Sequence, residues 1–264
     1  MPARDEFTEV LEVMLGKAVA GFRALKDCQQ LTAGASQQTF RIRVELDGAE
    51  AQFALRRCPP TLEGGPSLGQ IDLATEAYLL QRAGEAGIPV PGVVHVLEAD
   101  DGLGSGFLME WLEGETLGQR IVRSEALAGI RPQLARQCGE ILARLHALEV
   151  DANLAGHLPE VTPAGLVQET WDWYQTLELP APMIDFTARW LLENLPTHSR
   201  RALVHGDFRN GNLMIDDSGV RAVQDWELAQ IGDPVRDLGW LCVNSWRFGQ
   251  ADLTVGGFGT VADL

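Results

Sequence analysis

The stretch LVHGDFRNGNLMIDDSGVRAVQDWE, residues 203–227, restricts the fold more than any other part of the chain. Two short apolar runs, 213–215 and 220–223, flank the turn-forming sequence Asp216-Asp217-Ser218-Gly219. Such a pattern predicts a β-hairpin. Pairing the runs brings Asn212, at the start of one strand, beside Asp225, at the end of the other. Ahead of the hairpin, His205, Asp207, Arg209 and Asn212 crowd into one loop of eight residues. Polar groups at that density must be hydrogen-bonded or charge-paired wherever they leave water. The rest of the chain therefore has to form a scaffold that holds this loop.

The flanking patterns describe that scaffold. Phe7, Val10, Leu11 and Met14 form the i, i+3, i+4, i+7 stripe of a short helix over 5–15. From Phe40 the period becomes two, with Phe40, Ile42, Val44 and Leu46 alternating with charged residues. Asp47-Gly48 then predicts a turn into a second strand through Phe53 and Leu55. A helix is expected over about 69–85, with Ile71, Ala74, Tyr78 and Leu79 on one face, ended by the prolines of GIPVPGVV. A buried strand follows at 107–111. Residues 30–112 thus read as strands plus one helix. Beyond them the pattern is mainly helical, with helices near 133–148, 164–178 and 183–195 and another starting at Asp233-Pro234. A sheet-rich N-terminal lobe (1–112) joined to a helical C-terminal lobe (113–264) is an α+β, bilobal arrangement, with ligands expected at the junction. At the C-terminus, Thr260-Val-Ala-Asp263 has the form of a helix capping sequence followed by a single residue. It predicts that the chain stops short of a helix it begins.

Within the loop, the spacing assigns chemistry. An amide oxygen from Asn212 and a carboxylate from Asp225 are hard ligands suited to Mg²⁺. Asp207 remains able to accept a proton from a substrate hydroxyl, and Arg209 can offset charge on a transferring group. Asp and Asn are common in turns, and His205 alone reads as a core residue, so the joint spacing of the four residues carries the argument. That spacing, H-x-D-x-x-x-x-N followed by a metal-binding Asp, is that of a kinase catalytic loop.

HGDFRNGN together with QDWE resembles the aminoglycoside phosphotransferase-like kinase family. More narrowly, it is similar to the branch that includes the kinase-like domains fused to some acyl-CoA dehydrogenases. The likeness runs from about Leu31 to the end of the chain. It implies a protein-kinase-like fold, ATP and Mg²⁺ as cofactors, Asp207 as catalytic base and Asn212 with Asp225 as metal ligands. His205 becomes a brace for the loop, with Asp233 and Asp237 as further braces or as first-turn acids of their helix. FALR, residues 53–56, takes the place of the lysine-bearing strand, with Arg56 where Lys is usual. Arg binds phosphate as a planar fork and Lys as a point charge. Ala54 lies on the same strand face as Arg56 and would line an adenine slot. Glu76, with Leu73 and Leu80 beside it on the helix, points inward and needs a cation, for which Arg56 is the natural partner. Gly34, Ala35 and Ser36 are expected as the nucleotide loop, although the segment lacks a G-x-G-x-x-G pattern. The backbone at Glu110 and Leu112 would meet the adenine edge. His146 reads as a packing residue. Trp171, Trp173, Tyr174 and Trp190 read mainly as core, near the expected acceptor region.

Composition limits the partners. The formal net charge of −16 disfavours nucleic acid and anionic membranes. There is no apolar run of membrane-spanning length and no signal-peptide pattern. Four scattered cysteines suit reduced thiols and a cytoplasmic location. The expected partner is a small molecule bearing a hydroxyl. A metabolite such as a hydroxyacyl thioester is one reading, and an aminoglycoside or amino alcohol another. A non-catalytic nucleotide-binding module is the reading from a different class. Oligomeric state is left open.

Overall fold

The computed structural model describes residues 6–33, 37–59, 70–177 and 180–264. Helix α1 (Glu6–Ala18) buries Leu11, Met14 and Leu15. Strands β1 (Phe22–Ala33), β2 (Gln38–Leu46) and β3 (Ala49–Cys58) follow. The β2–β3 turn is Asp47-Gly48, and Gly48 has φ +79°, which only glycine adopts readily. Helix α2 (Leu73–Glu85) starts after Asp72, whose side chain accepts a hydrogen bond from the Thr75 N–H. Strands β4 (Val93–Val96) and β5 (Ser105–Glu110) complete an antiparallel sheet of order β1-β2-β3-β5-β4.

Strand β1 begins at Phe22, well before the first strand that the sequence pattern suggests. Its register against β2 shifts three times, between Phe22 and Ala24, Leu25 and Asp27, and Gln30 and Thr32. Each shift moves the following side chains to the other face, so no period-two alternation survives in FRALKDCQQLTA.

The sheet has two packed faces. On one, Phe40, Ile42, Val44, Leu55 and Leu108 meet Leu11, Met14 and Leu15 of α1. Ile42, Val44, Leu55 and Leu108 are fully buried. Each such side chain contributes about 1.5–3 kcal/mol. Strand alternation then turns Ala54, Arg56, Phe107 and Met109 to the opposite face. There Phe107 joins Leu73, Ala77 and Leu80 of α2 in the larger core.

The remainder is mainly helical: α3 (Gly118–Arg123), α4 (Leu134–Ala147), α5 (Ala152–His157), α6 (Pro163–Thr176) and α7 (Pro182–Glu193). Short strands β6 (Ala202–Val204), β7 (Leu213–Asp216), β8 (Gly219–Val223) and β9 (Gln230–Gly232) precede α8 (Val235–Leu241). β7 pairs with β8 as the expected hairpin, and β6 pairs with β9. The polar loop therefore leaves one fixed strand at Val204 and enters another at Leu213. Helix α4 buries Leu134, Cys138, Ile141, Leu142 and Leu145 in the same core as Phe208 and Trp226.

Helices α6 and α7 differ from expectation. Neither contains a buried residue, and Trp173 and Trp190 are 61% and 52% exposed. Trp171 and Tyr174 pack on each other, with ring centroids 5.5 Å apart. These aromatics are thus not core, because the two helices pack chiefly on one another and leave their apolar faces unfilled. Thr260 and Asp263 do form the capping box predicted for them, around the single 3₁₀ turn Val261–Asp263. Among the described residues, no helix is long and apolar enough to cross a membrane.

Candidate active site

The loop is held from below by α8. Asp237, fully buried, accepts hydrogen bonds from the backbone N–H groups of His205 and Gly206, each 2.9 Å. Its Oδ2 also lies 3.0 Å from His146 Nε2, so His146 is buried as expected and belongs to this brace. Gly206 has φ +83°, and a Cβ there would lie 2.1 Å from the Leu228 carbonyl oxygen. Only glycine can follow the histidine. His205 packs against Phe208 and Trp226, and its Nδ1 accepts from the Asp207 N–H at 3.3 Å. Burial pushes its pKa below the usual range, outweighing Asp237, Asp207 and Asp225. Asp233 takes no part in the brace. Its side chain instead accepts from the Val235 N–H at the start of α8, at 3.0 Å.

Three side chains converge on the Asp207 carboxylate. Arg209 Nε lies 3.1 Å from each oxygen, Asn212 Nδ2 is 2.6 Å from Oδ2, and Trp240 Nε1 is 2.5 Å from Oδ1. The Arg209 guanidinium also lies 4.3 Å from the centre of the Trp246 ring, which meets Trp240 edge-on at 5.5 Å. Asn212 directs its amide nitrogen to Asp207, including a 3.0 Å bond to that residue's carbonyl, so a cation could be met by its amide oxygen. The hairpin brings Asn212 next to the QDWE segment, where the Gln224 N–H donates to the Asn212 carbonyl at 2.9 Å. Asp225 itself has φ +64°, an uncommon conformation for a residue with a side chain.

Across the cleft, Arg56 reaches from β3 into this group. Nη1 pairs with Glu76 at 3.0 Å, and Nη2 meets Asp225 at 3.2 Å and Glu227 at 3.4 Å. Nε donates to Gln37 at 2.9 Å. Burial by itself lowers the Arg56 pKa, but Glu76, Asp225 and Glu227 together hold it above the usual value. Burial pushes Glu76 up to about 7; Arg56 pulls it back, and Asp225 and Glu227 oppose that pull. Burial, with Asp225 next, also raises Glu227. Three carboxylates share one guanidinium, so the site carries uncompensated negative charge. That excess, with the hard oxygens of Asn212 and Asp225, fits a divalent cation. Among the described residues no cluster of three His, Cys, Asp or Glu forms a self-sufficient metal site. A Mg²⁺ site completed by phosphate oxygens and water needs none.

Two adjoining cavities form the cleft. One of about 590 Å³ is lined by Arg56, Glu76, Asn212 and Asp225. The other, of about 410 Å³, is lined by Ala54, Met109, Glu110 and Leu112. They share Thr39, Pro91, Met109, Thr116 and Gln224, so the space is continuous. Every described residue expected at the nucleotide site lies on this cleft, with Asp207 and Arg209 beside it on the loop. Gly34, Ala35 and Ser36 lie outside the described residues. Trp240, Trp246 and Glu227 join the site without having been expected there. Glu227 is the last letter of QDWE and could have been weighed with Asp225. Nothing local marks Trp240 or Trp246, whose contacts with the loop are long-range. Beyond the loop, two apolar cavities of about 420 and 440 Å³ run along α6 and α7, sharing Leu166, Val167 and Leu191.

An antiparallel sheet above a helical part, with a braced polar loop at the cleft, is the kinase-like α+β fold of small-molecule phosphotransferases. Residues 27–261 match the model of the phosphotransferase enzyme family, and the chain belongs to that family. Acyl-CoA dehydrogenase family member 10 of Mus musculus is 30% identical over 253 residues, 91% of this chain. The chain spans only 22% of that relative's length. A Ralstonia eutropha protein solved as a candidate aminoglycoside phosphotransferase superposes with a TM-score of 0.72 at 24% identity, covering 97% of this chain and 77% of the other. An aminoglycoside phosphotransferase solved with ADP bound has a TM-score of 0.58 at 17% identity, covering 89% and 74%. At these identities the two structures speak for the fold.

Proposed function

We propose that the chain is an ATP- and Mg²⁺-dependent kinase that transfers the γ-phosphoryl group to the hydroxyl of a small molecule. The nucleotide would bind between the lobe of residues 1–112 and the lobe of 113–264. Ala54, Glu110 and Leu112 would take the adenine, and Arg56, oriented by Glu76, would take the phosphates together with residues 34–36. Asn212 and Asp225 would hold Mg²⁺, which supplies charge neutralisation at the phosphate oxygens. Asp207 receives the proton of the acceptor hydroxyl as the new O–P bond forms and the β–γ bridging O–P bond breaks. Arg209 offsets charge on the group in transit. The observation that carries this reading is the Asp207 carboxylate, held by three donors beside a cleft with excess negative charge.

For the acceptor, the apolar cavities along α6 and α7 favour a metabolite with an apolar body over a polycationic antibiotic. The relatives' names suggest a hydroxyacyl thioester. The test is ADP release from Mg-ATP across pools of hydroxyacyl-CoA, aminoglycosides and amino alcohols. The expected result is turnover on one pool, abolished in Asp207→Ala with the fold retained by circular dichroism. Full activity in Asp207→Ala would refute the mechanism. Mg-ATP binding, seen as a thermal shift, without turnover on any pool would point to a non-catalytic module, against which the filled base and metal positions count.

A further inference from the structure

Asp207 is gripped from two directions. Arg209 and Asn212 belong to its own loop, whereas the Trp240 indole comes from α8, 33 residues further on. These three N–H donors engage both oxygens, the single Arg209 Nε–H being shared between them. Withdrawal of Arg209, whose one hydrogen spans both oxygens, would give a substrate hydroxyl the most room at Asp207. Arg209 has a second partner in the Trp246 ring and a proposed duty toward the phosphoryl group. Among the described residues, the one hydrogen-bond partner of the Trp240 indole is Asp207.

The chemistry of the indole suits the task of holding a base. Its N–H donates and has no acceptor function, and it carries no charge. It can fix a carboxylate oxygen without competing for the substrate proton and without placing a positive charge beside the base. Trp240 also follows Asp237 by three residues, which puts both on one face of α8. Asp237 takes the backbone of His205 and Gly206, and Trp240 takes the side chain of Asp207. One helix thus fixes the main chain and the carboxylate together, and the edge-on packing of Trp240 against Trp246 fixes the indole in turn.

We propose that Trp240 is a positioning residue that keeps its bond to Asp207 when Arg209 is drawn off, leaving Oδ1 oriented to take the acceptor proton. This rests on Asp207 being the base. Two measurements test it. In ¹⁵N-labelled protein the Trp240 indole proton, identified by its loss in Trp240→Phe, should lie downfield and move upfield in Asp207→Ala. An indole resonance indifferent to Asp207→Ala overturns the proposal, whether or not an acceptor is known. In ADP release from Mg-ATP, Trp240→Phe should lower kcat about tenfold while KM for ATP stays within twofold. Trp240→His, which restores a ring N–H, should recover part of the loss. A kcat unchanged in Trp240→Phe, or a loss that Trp240→His does not recover at all, would mark a ring that only packs and would overturn the proposal. Failure of the kinase reading is seen separately, as an Asp207→Ala protein that releases ADP like the wild type.

Discussion

Replacing Asp237 with alanine removes the acceptor of three donors at once. The carboxylate is fully buried and receives the N–H groups of His205 and Gly206 at 2.9 Å and His146 Nε2 at 3.0 Å. A buried donor left without a partner costs about 1–3 kcal/mol. Two orphaned backbone donors and an imidazole therefore amount to about 3–9 kcal/mol, a large share of the roughly 5–15 kcal/mol that holds a domain together. Urea unfolding followed by tryptophan fluorescence reads this directly, because Trp226 lies in the core beside His205. Each kcal/mol lowers Tm by roughly 2–4 °C in a chain of this size, so a fall on the order of 10 °C is expected. Asp237→Asn keeps one acceptor oxygen and should lose about half as much. A loss below about 1 kcal/mol in Asp237→Ala would refute the bracing argument, since water cannot easily reach a site this closed.

Two further outcomes follow from the charges around Arg56. The Glu76 carboxyl titrates near 7 in the folded chain against an ordinary 4.5, so its stabilising contribution is complete below about pH 4.5 and is lost as pH rises through about 7. The gap is worth about 3 kcal/mol, so the stability curves of wild type and Glu76→Gln should differ by that much more at pH 4.5 than at pH 7.5; parallel curves would exclude it. Asp225→Asn keeps a residue type that tolerates φ +64° and removes one of three carboxylates facing Arg56. Its Tm without ligand should stay within a few degrees of wild type while the Mg²⁺-dependent stabilisation by ATP disappears, and a persisting Mg²⁺-dependent shift would remove Asp225 from the metal site.

The sequence by itself determined the elements whose information is local. The 213–223 hairpin, the Asp47-Gly48 turn, the α2 and α4 stripes and the alternation of β2 are all written in short periodic patterns, because each depends on which side chains face one way within a few residues. The spacing of Asp207, Arg209, Asn212 and Asp225 was legible for the same reason: a hairpin of fixed length converts sequence separation into proximity. The inward turn of Glu76 could be read from the apolar residues around it on the helix, and Arg56 meets it at 3.0 Å. The tertiary structure decided what depends on distant segments meeting. The three register shifts of β1 erase its alternation and are visible only against β2. The unburied faces of α6 and α7 could not be told from core faces, since an apolar stripe looks the same whether or not a neighbour covers it. The sharing of Arg56 among Glu76, Asp225 and Glu227, and the reach of Trp240 to Asp207, join residues far apart in the chain. Such contacts are set by how the sheet and α8 close on the loop, and no local pattern encodes that closure.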